Sequence, residues 1–380
     1  MTPHIRTLKD LETNPMVSTG PLTSIPEDGV AKNAQSQSYL TKRTTSFPLQ
    51  TVGESADDDQ QSEANNGTVV LSDGMCFSGG YGDVWLGRLE DGLNRRSASF
   101  KVAVKVERPL SEYQMKPETT PDPNSLAREL AIWKELKHEN IVPLLGTITG
   151  FSPYKSPGMV SPWMENGNIT DYQRTKNLTV RARLQILCDI SAGLEYLHSK
   201  NIIHGDLTGT NILIDENEKA CLTGFGLFTI KAEHGGTTYW SSTLGGGMRY
   251  RAPELLPPLD SDKLLDFKPV VTLACDIYSM GSIILQNQML SGTVPYKELR
   301  SDVYVLLTLA HGIKPKRPKN LILTDSYWNF IDKCWAKAPD DRPKAGEVNE
   351  ALNEFLGPCK DLPEECHTGS LLRPVEPESL

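Results

Sequence analysis

The sequence predicts an α+β fold in which short strands come first and helices follow. Strand-like apolar runs at residues 69–71, 84–86 and 100–106 are separated by glycine-rich or charged turns. Residues 125–136 then carry apolar side chains at helical spacing, and residues 178–198 do so over the longest such stretch. Two more helical stretches, 326–335 and 345–356, complete the patterned part of the chain.

Each element has its reason. Residues 1–67 are rich in Ser, Thr, Pro, Gln and Asn and hold no period of 2 or 3.6, so a disordered arm is expected there. Gly79, Gly80 and Gly82 let backbone approach a phosphate because no Cβ intervenes, although the same glycines suit an ordinary hairpin turn. In helix 125–136, Leu126, Leu130, Ile132, Trp133 and Leu136 give an apolar face beside Glu129. Residues 141–148 and 158–161 are expected to be strands. Along helix 178–198, Leu184, Leu187, Cys188, Ser191, Leu194 and Leu197 form a core stripe, and Trp328, Phe330, Ile331 and Trp335 are read as core as well. The proline-rich residues 358–380 form a second expected disordered segment.

Composition narrows the function. A chain of 380 residues has room for one large two-lobed domain or two ordinary ones. A formal net charge of -9 without a long basic block argues against a general nucleic-acid surface. No apolar run is long enough for a membrane span, and no apolar N-terminal targeting segment is evident. The seven cysteines form no Cys-x-x-Cys pair, which favours reduced thiols and a cytoplasmic or nuclear protein over a disulfide frame or zinc site.

The chemistry concentrates in residues 202–226, IIHGDLTGTNILIDENEKACLTGFG. His204-Gly205-Asp206 is followed by Asn211, then by two apolar runs split at Asp215-Glu216-Asn217-Glu218, then by Gly224-Phe225-Gly226. This resembles the catalytic and metal-binding loops of protein kinases, whose pattern is H-R-D-L-x-x-x-N followed by D-F-G. Other motifs stand in the family's order. Gly79, Gly80, Gly82 and Val84 match the glycine-rich loop, and Val102-Ala103-Val104-Lys105 matches V-A-I-K. Ala252-Pro253-Glu254, Asp276 and Arg342-Pro343 follow downstream.

The resemblance implies a bilobal protein-kinase-like domain over residues 68–357. Its small N-terminal lobe (68–161) would hold an antiparallel sheet with one main helix, 162–167 would be the hinge, and 168–357 a larger, mainly helical lobe. It implies ATP as cofactor, held by Gly79, Gly80, Gly82, Val84, Ala103, Lys105 and the backbone of Pro162 and Met164. Catalytic roles fall on Lys105 with Glu129 on the phosphates, on Asp206 as acceptor of the substrate hydroxyl proton, and on Asn211 as a Mg²⁺ ligand. Glu254 would pair with Arg342, and Asp276 would tie its helix to the catalytic loop, a plain helix N-terminal acid being the competing reading. Partner proteins or protein substrates are implied.

The departures from the pattern fall together. Gly224 stands where the metal-binding Asp belongs, Thr208 where a Lys meets the γ-phosphate, Gly247 where a substrate-proximal Thr lies, and Gly205 where an Arg precedes the Asp. Phe77 replaces the first glycine of the loop and would narrow the cleft or pack over the adenine. Asp215 or Asp206 is left as a substitute metal ligand. The expectation is a pseudokinase of the tyrosine-kinase-like group that binds ATP and transfers phosphate weakly or not at all. The alternative is an active Ser/Thr kinase.

Overall fold

The computed structural model describes residues 45–50, 67–78, 82–91, 99–107, 125–151, 156–224, 247–257, 267, 269–286, 294–318 and 324–357, apart from the side chains of 73, 74, 91, 125, 128 and 129. Its first layer is an antiparallel sheet of six strands in the order β1-β2-β3-β4-β6-β5. These are β1 (Thr45–Pro48), β2 (Gly67–Ser78), β3 (Gly82–Asp91), β4 (Phe100–Glu107), β5 (Gly146–Ile148) and β6 (Gly158–Pro162). Alternation along β4 sends Val102 and Val104 into a core with Val69, Leu71, Ile148 and Val160, and Phe47, Leu49, Trp85 and Phe151 cover it.

Part of the expected disordered arm is therefore a strand. Phe47 lies opposite Val69 and is tilted against the Phe151 ring at 5.4 Å, so the segment buries apolar surface despite its polar neighbours. Beyond it, Gln50 exchanges both backbone hydrogen bonds with Thr147 of β5, at 2.8 and 2.9 Å. The two outer strands of the sheet are thereby joined.

Helix α1 (Ser125–Glu135) buries Leu130 and Trp133, and Leu136 follows them inward. Ile132, expected on that face, is 40% exposed, because the helical period turns it outward between Leu130 and Trp133. The expected strand at 141–148 shrinks to β5. Its first residues are taken up instead by Leu222, whose N–H donates to Asn140 O and whose carbonyl accepts from Val142 N.

The second layer is mostly helical. It comprises α2 (Ile169–Thr175), α3 (Val180–Ser199), α4 (Leu273–Gln286), α5 (Asp302–Ala310), α6 (Asp325–Cys334) and α7 (Ala345–Leu356), with the hairpin β7 (Ile212–Ile214) and β8 (Ala220–Leu222). Thr179 caps α3 by accepting from Ala182 N, and the predicted stripe of α3 is buried throughout. Trp335, 1% exposed, donates its Nε1 to Ser282 Oγ at 3.1 Å and closes the core between α4 and α6. The pattern gave no sign of α2 or α5. In α5 the apolar Val303, Tyr304 and Leu307 are exposed, so its sequence carries no clean face. No helix among the described residues is long and apolar enough to cross a membrane. Residues 225–246 and 358–380, including the hydroxyl-rich stretch 237–243, lie outside the described residues.

Candidate active site

The loop between α3 and β7 is held from below by one carboxylate. Asp276, 1% exposed in the first turn of α4, accepts from His204 N and Gly205 N at 2.8 Å each and contacts His198 Nε2 at 2.9 Å. This decides between the two readings of Asp276, since its side chain serves the loop and not its own helix end. With the backbone so fixed, Asn211 Nδ2 donates to Asp206 O at 2.7 Å and to Asp206 Oδ2 at 3.0 Å. Asp206 and Asn211 are thus brought into contact.

His204 is fully buried, and burial pushes its imidazole below the usual histidine range. Between that lowered value and about 6.5, the unfolded chain binds a proton that the folded chain does not, so stability rises with pH across the window. Unfolding free energy measured in urea is expected to fall as the pH is lowered from about 7.5 through about 6.5, where the unfolded histidine takes up its proton. His138, also lowered chiefly by burial, contributes with the same sign. The loss in His204→Gln should therefore be smaller but not zero.

Above the loop, β3 and β4 bring three predicted residues to one face. Val84 lies opposite Lys105, and Ala103 is two residues away on the same side. Ala103 faces Ser161 and Lys105 faces Met159 on β6. Pro162 ends β6 opposite Val102, and Met164, half-buried against the large core, accepts from Gly167 N at 3.0 Å. Gly82 has a reason of its own, because a Cβ there would lie 2.3 Å from Val106 O. Phe77 is 57% exposed and is not packed down as a cleft filler. Gly79, Gly80 and the Glu129 side chain lie outside the described residues. Glu135, the other acid of α1, is exposed.

Gly224 sits against the lower set. Its φ is +76°, and a Cβ built on it would be 3.1 Å from Asn211 Oδ1. Asp215, considered as a replacement ligand, is consumed by its own turn, where its Oδ1 accepts from Asn217 N and Lys219 N at 2.8 Å each. Among the described residues no three His, Cys, Asp or Glu side chains gather as a metal cluster. Among the described residues, the donors beside position 224 are one neutral amide oxygen and the Asp206 carboxylate, and Gly224 itself adds none.

Sequence comparison bears on the family. A family model described as protein tyrosine and serine/threonine kinase matches residues 75–352. The chain belongs to that kinase family. Its relatives come from both branches. The serine/threonine-protein kinase STY17 of Arabidopsis thaliana is 29% identical over 60% of this chain and 37% of its own length. The tyrosine-protein kinase ABL2 of Homo sapiens is 30% identical over 73% of this chain and 21% of its own length. The serine/threonine-protein kinase mos of Patiria pectinifera is 28% identical over 77% of each. This chain thus spans well under half of the first two relatives.

Two contributors to the kinase site were not found from the sequence. His198 contacts Asp276 at 2.9 Å from the end of α3, and Arg251 Nη2 lies 3.8 Å from Asp206 Oδ1. The predicted pair Glu254 and Arg342 is present, with Arg342 Nη1 and Nη2 donating to Glu254 Oε1 and Oε2 at 2.6 and 2.8 Å.

Proposed function

We propose that this chain is a nucleotide-binding pseudokinase of the tyrosine-kinase-like group, acting on signalling partners by docking and transferring phosphate weakly or not at all. The observation that carries the reading is the empty carboxylate position at Gly224, in contact with an otherwise well-placed Asn211. Lys105, Ala103 and Val84 on one sheet face support ATP binding, and loss of a first ligand to the bridging metal weakens charge neutralisation at the transferred group. An active Ser/Thr kinase is the second reading. It is favoured by the Asp206 and Asn211 contact and by the intact Asp276 anchor.

A thermal-shift titration with ATP, with and without Mg²⁺ or Mn²⁺, tests the proposal. Stabilisation that does not depend on metal supports it, and strong metal dependence together with transfer of labelled phosphate that Asp206→Asn abolishes would establish the second reading instead. Gly224→Asp sharpens the test. The left-handed backbone at 224 is one that Asp tolerates better than most residues, at a cost of about 1–2 kcal/mol. Its carboxylate would then share a coordination sphere with Asn211 Oδ1. The variant is expected to gain Mg²⁺-dependent stabilisation by ATP and at least about tenfold in phosphotransfer, a modest share of what one electrostatic group contributes. No gain in either would remove position 224 as the cause.

A further inference from the structure

Arg43 and Lys42 stand three and four residues ahead of Ser46, in a stretch from Gly29 to Gly53 that contains no Asp or Glu. In a chain of net charge -9 this is an island of positive charge. A kinase whose substrate groove carries carboxylates selects a hydroxyl through cations placed before it, arginine above all because its fork meets a carboxylate with two hydrogen bonds. Phe47 follows the hydroxyl directly, so an enzyme that requires proline there is not addressed. Ser46 is exposed on β1, the edge strand of the sheet, while its neighbour Phe47 packs against the small-lobe core.

The register of the sheet supplies a receiver for a phosphate at this position. Ser46 lies opposite Val70, Val70 opposite Arg88, and Arg88 opposite Lys101. Directly opposed residues of antiparallel strands share a face, so the four side chains form one row across the sheet. Two strand spacings, roughly 10 Å, separate the backbones of Ser46 and Arg88, a gap that a phosphoserine and an extended arginine close from either side. Arg88 is exposed, and among the described residues its side chain makes no ion pair or hydrogen bond. Lys101 is committed to Glu165 at 2.7 Å. Glu90, the described acid of β3 on that face, belongs to the next row, opposite Thr68. Arg88 is thus the uncommitted charge beside Ser46.

We propose that Ser46 is a phosphorylation site for a second kinase that selects arginine three residues ahead, and that Arg88 receives the phosphate and pins β1 to the sheet. The Ser46 oxygen attacks the γ-phosphorus of ATP bound to the second kinase, and the bond from phosphorus to the ADP oxygen breaks. The hydroxyl proton passes to a carboxylate of that enzyme and on to water. The second kinase takes the strand while it is detached, because Phe47 is otherwise packed against Phe151. On redocking, the phosphate accepts from the Arg88 guanidinium across Val70. The new pair holds Phe47 and Leu49 against the core and keeps Gln50 joined to Thr147. The site does not depend on whether this chain transfers phosphate.

The test treats the full chain with Mg²⁺-ATP and a purified kinase selective for arginine three residues before the hydroxyl. Peptide mapping by mass spectrometry should place phosphate on Ser46, and Arg43→Ala should slow its incorporation by about tenfold or more. Phosphate confined to Thr44 or Thr45, or none at all, overturns the site. Equal incorporation at Ser46 without the added enzyme overturns its assignment to a second kinase. Amide hydrogen exchange at Leu49 and Gln50 reads the clamp. Phosphorylation should slow it by about fivefold or more, and Arg88→Gln, phosphorylated to the same extent, should show no slowing. Exchange that is unchanged or faster in the phosphorylated parent overturns the role of Arg88, as does slowing that survives Arg88→Gln.

Discussion

Asp276→Ala is expected to destabilise the protein by about 3–5 kcal/mol, the largest effect of any single side chain at the site. The substitution leaves the N–H groups of His204 and Gly205 and the Nε2 of His198 without their acceptor. Each orphaned group costs roughly 1–3 kcal/mol. Asp276→Asn keeps one acceptor oxygen and should lose about half as much. Urea unfolding gives the free energies, and amide hydrogen exchange at 204 and 205 shows whether the loop opens locally before the whole domain does. A loss under about 1 kcal/mol in Asp276→Ala would mean that the loop is held by its flanking elements instead.

Arg342→Met should cost a similar amount, about 3–5 kcal/mol, for a different reason. The arginine side chain has no exposed surface and Glu254 is 25% exposed, so removal of the cation strands a largely buried anion. Arg342 also donates to the carbonyls of Ala336 and Ala274 and lies over the Tyr278 ring at 5.1 Å, which links α4, the turn at Pro253–Leu255 and the segment after α6. Glu254→Gln combined with Arg342→Met should recover part of the loss. Full additivity in a denaturation cycle would show that the two side chains act independently.

Much of this was legible in the sequence because polar residues with fixed partners leave marks at fixed spacings. The stripe of α3 follows from helical spacing, and the Asp276 anchor and the Glu254 and Arg342 pair follow from short motifs. What escaped has a common cause. Thr45–Pro48 becomes a strand only because β2 offers it a partner, and residues in a polar arm do not announce such a partner. Ile132 is apolar and neighbours the buried stripe, but at about 100° per residue it falls on the outward side and is 40% exposed.

The pairing of Gln50 with Thr147 bears on how the protein can be cut. The family match starts at residue 75, after β1 and within β2. A clone trimmed to that boundary would strip Phe47, Leu49, Val69 and Leu71 from the small lobe's interior. It would also leave the ladder of β3 open along one side, a ready template for the strand of another copy. Insolubility of such a fragment would then reflect where it was truncated and would say nothing about the missing catalytic groups.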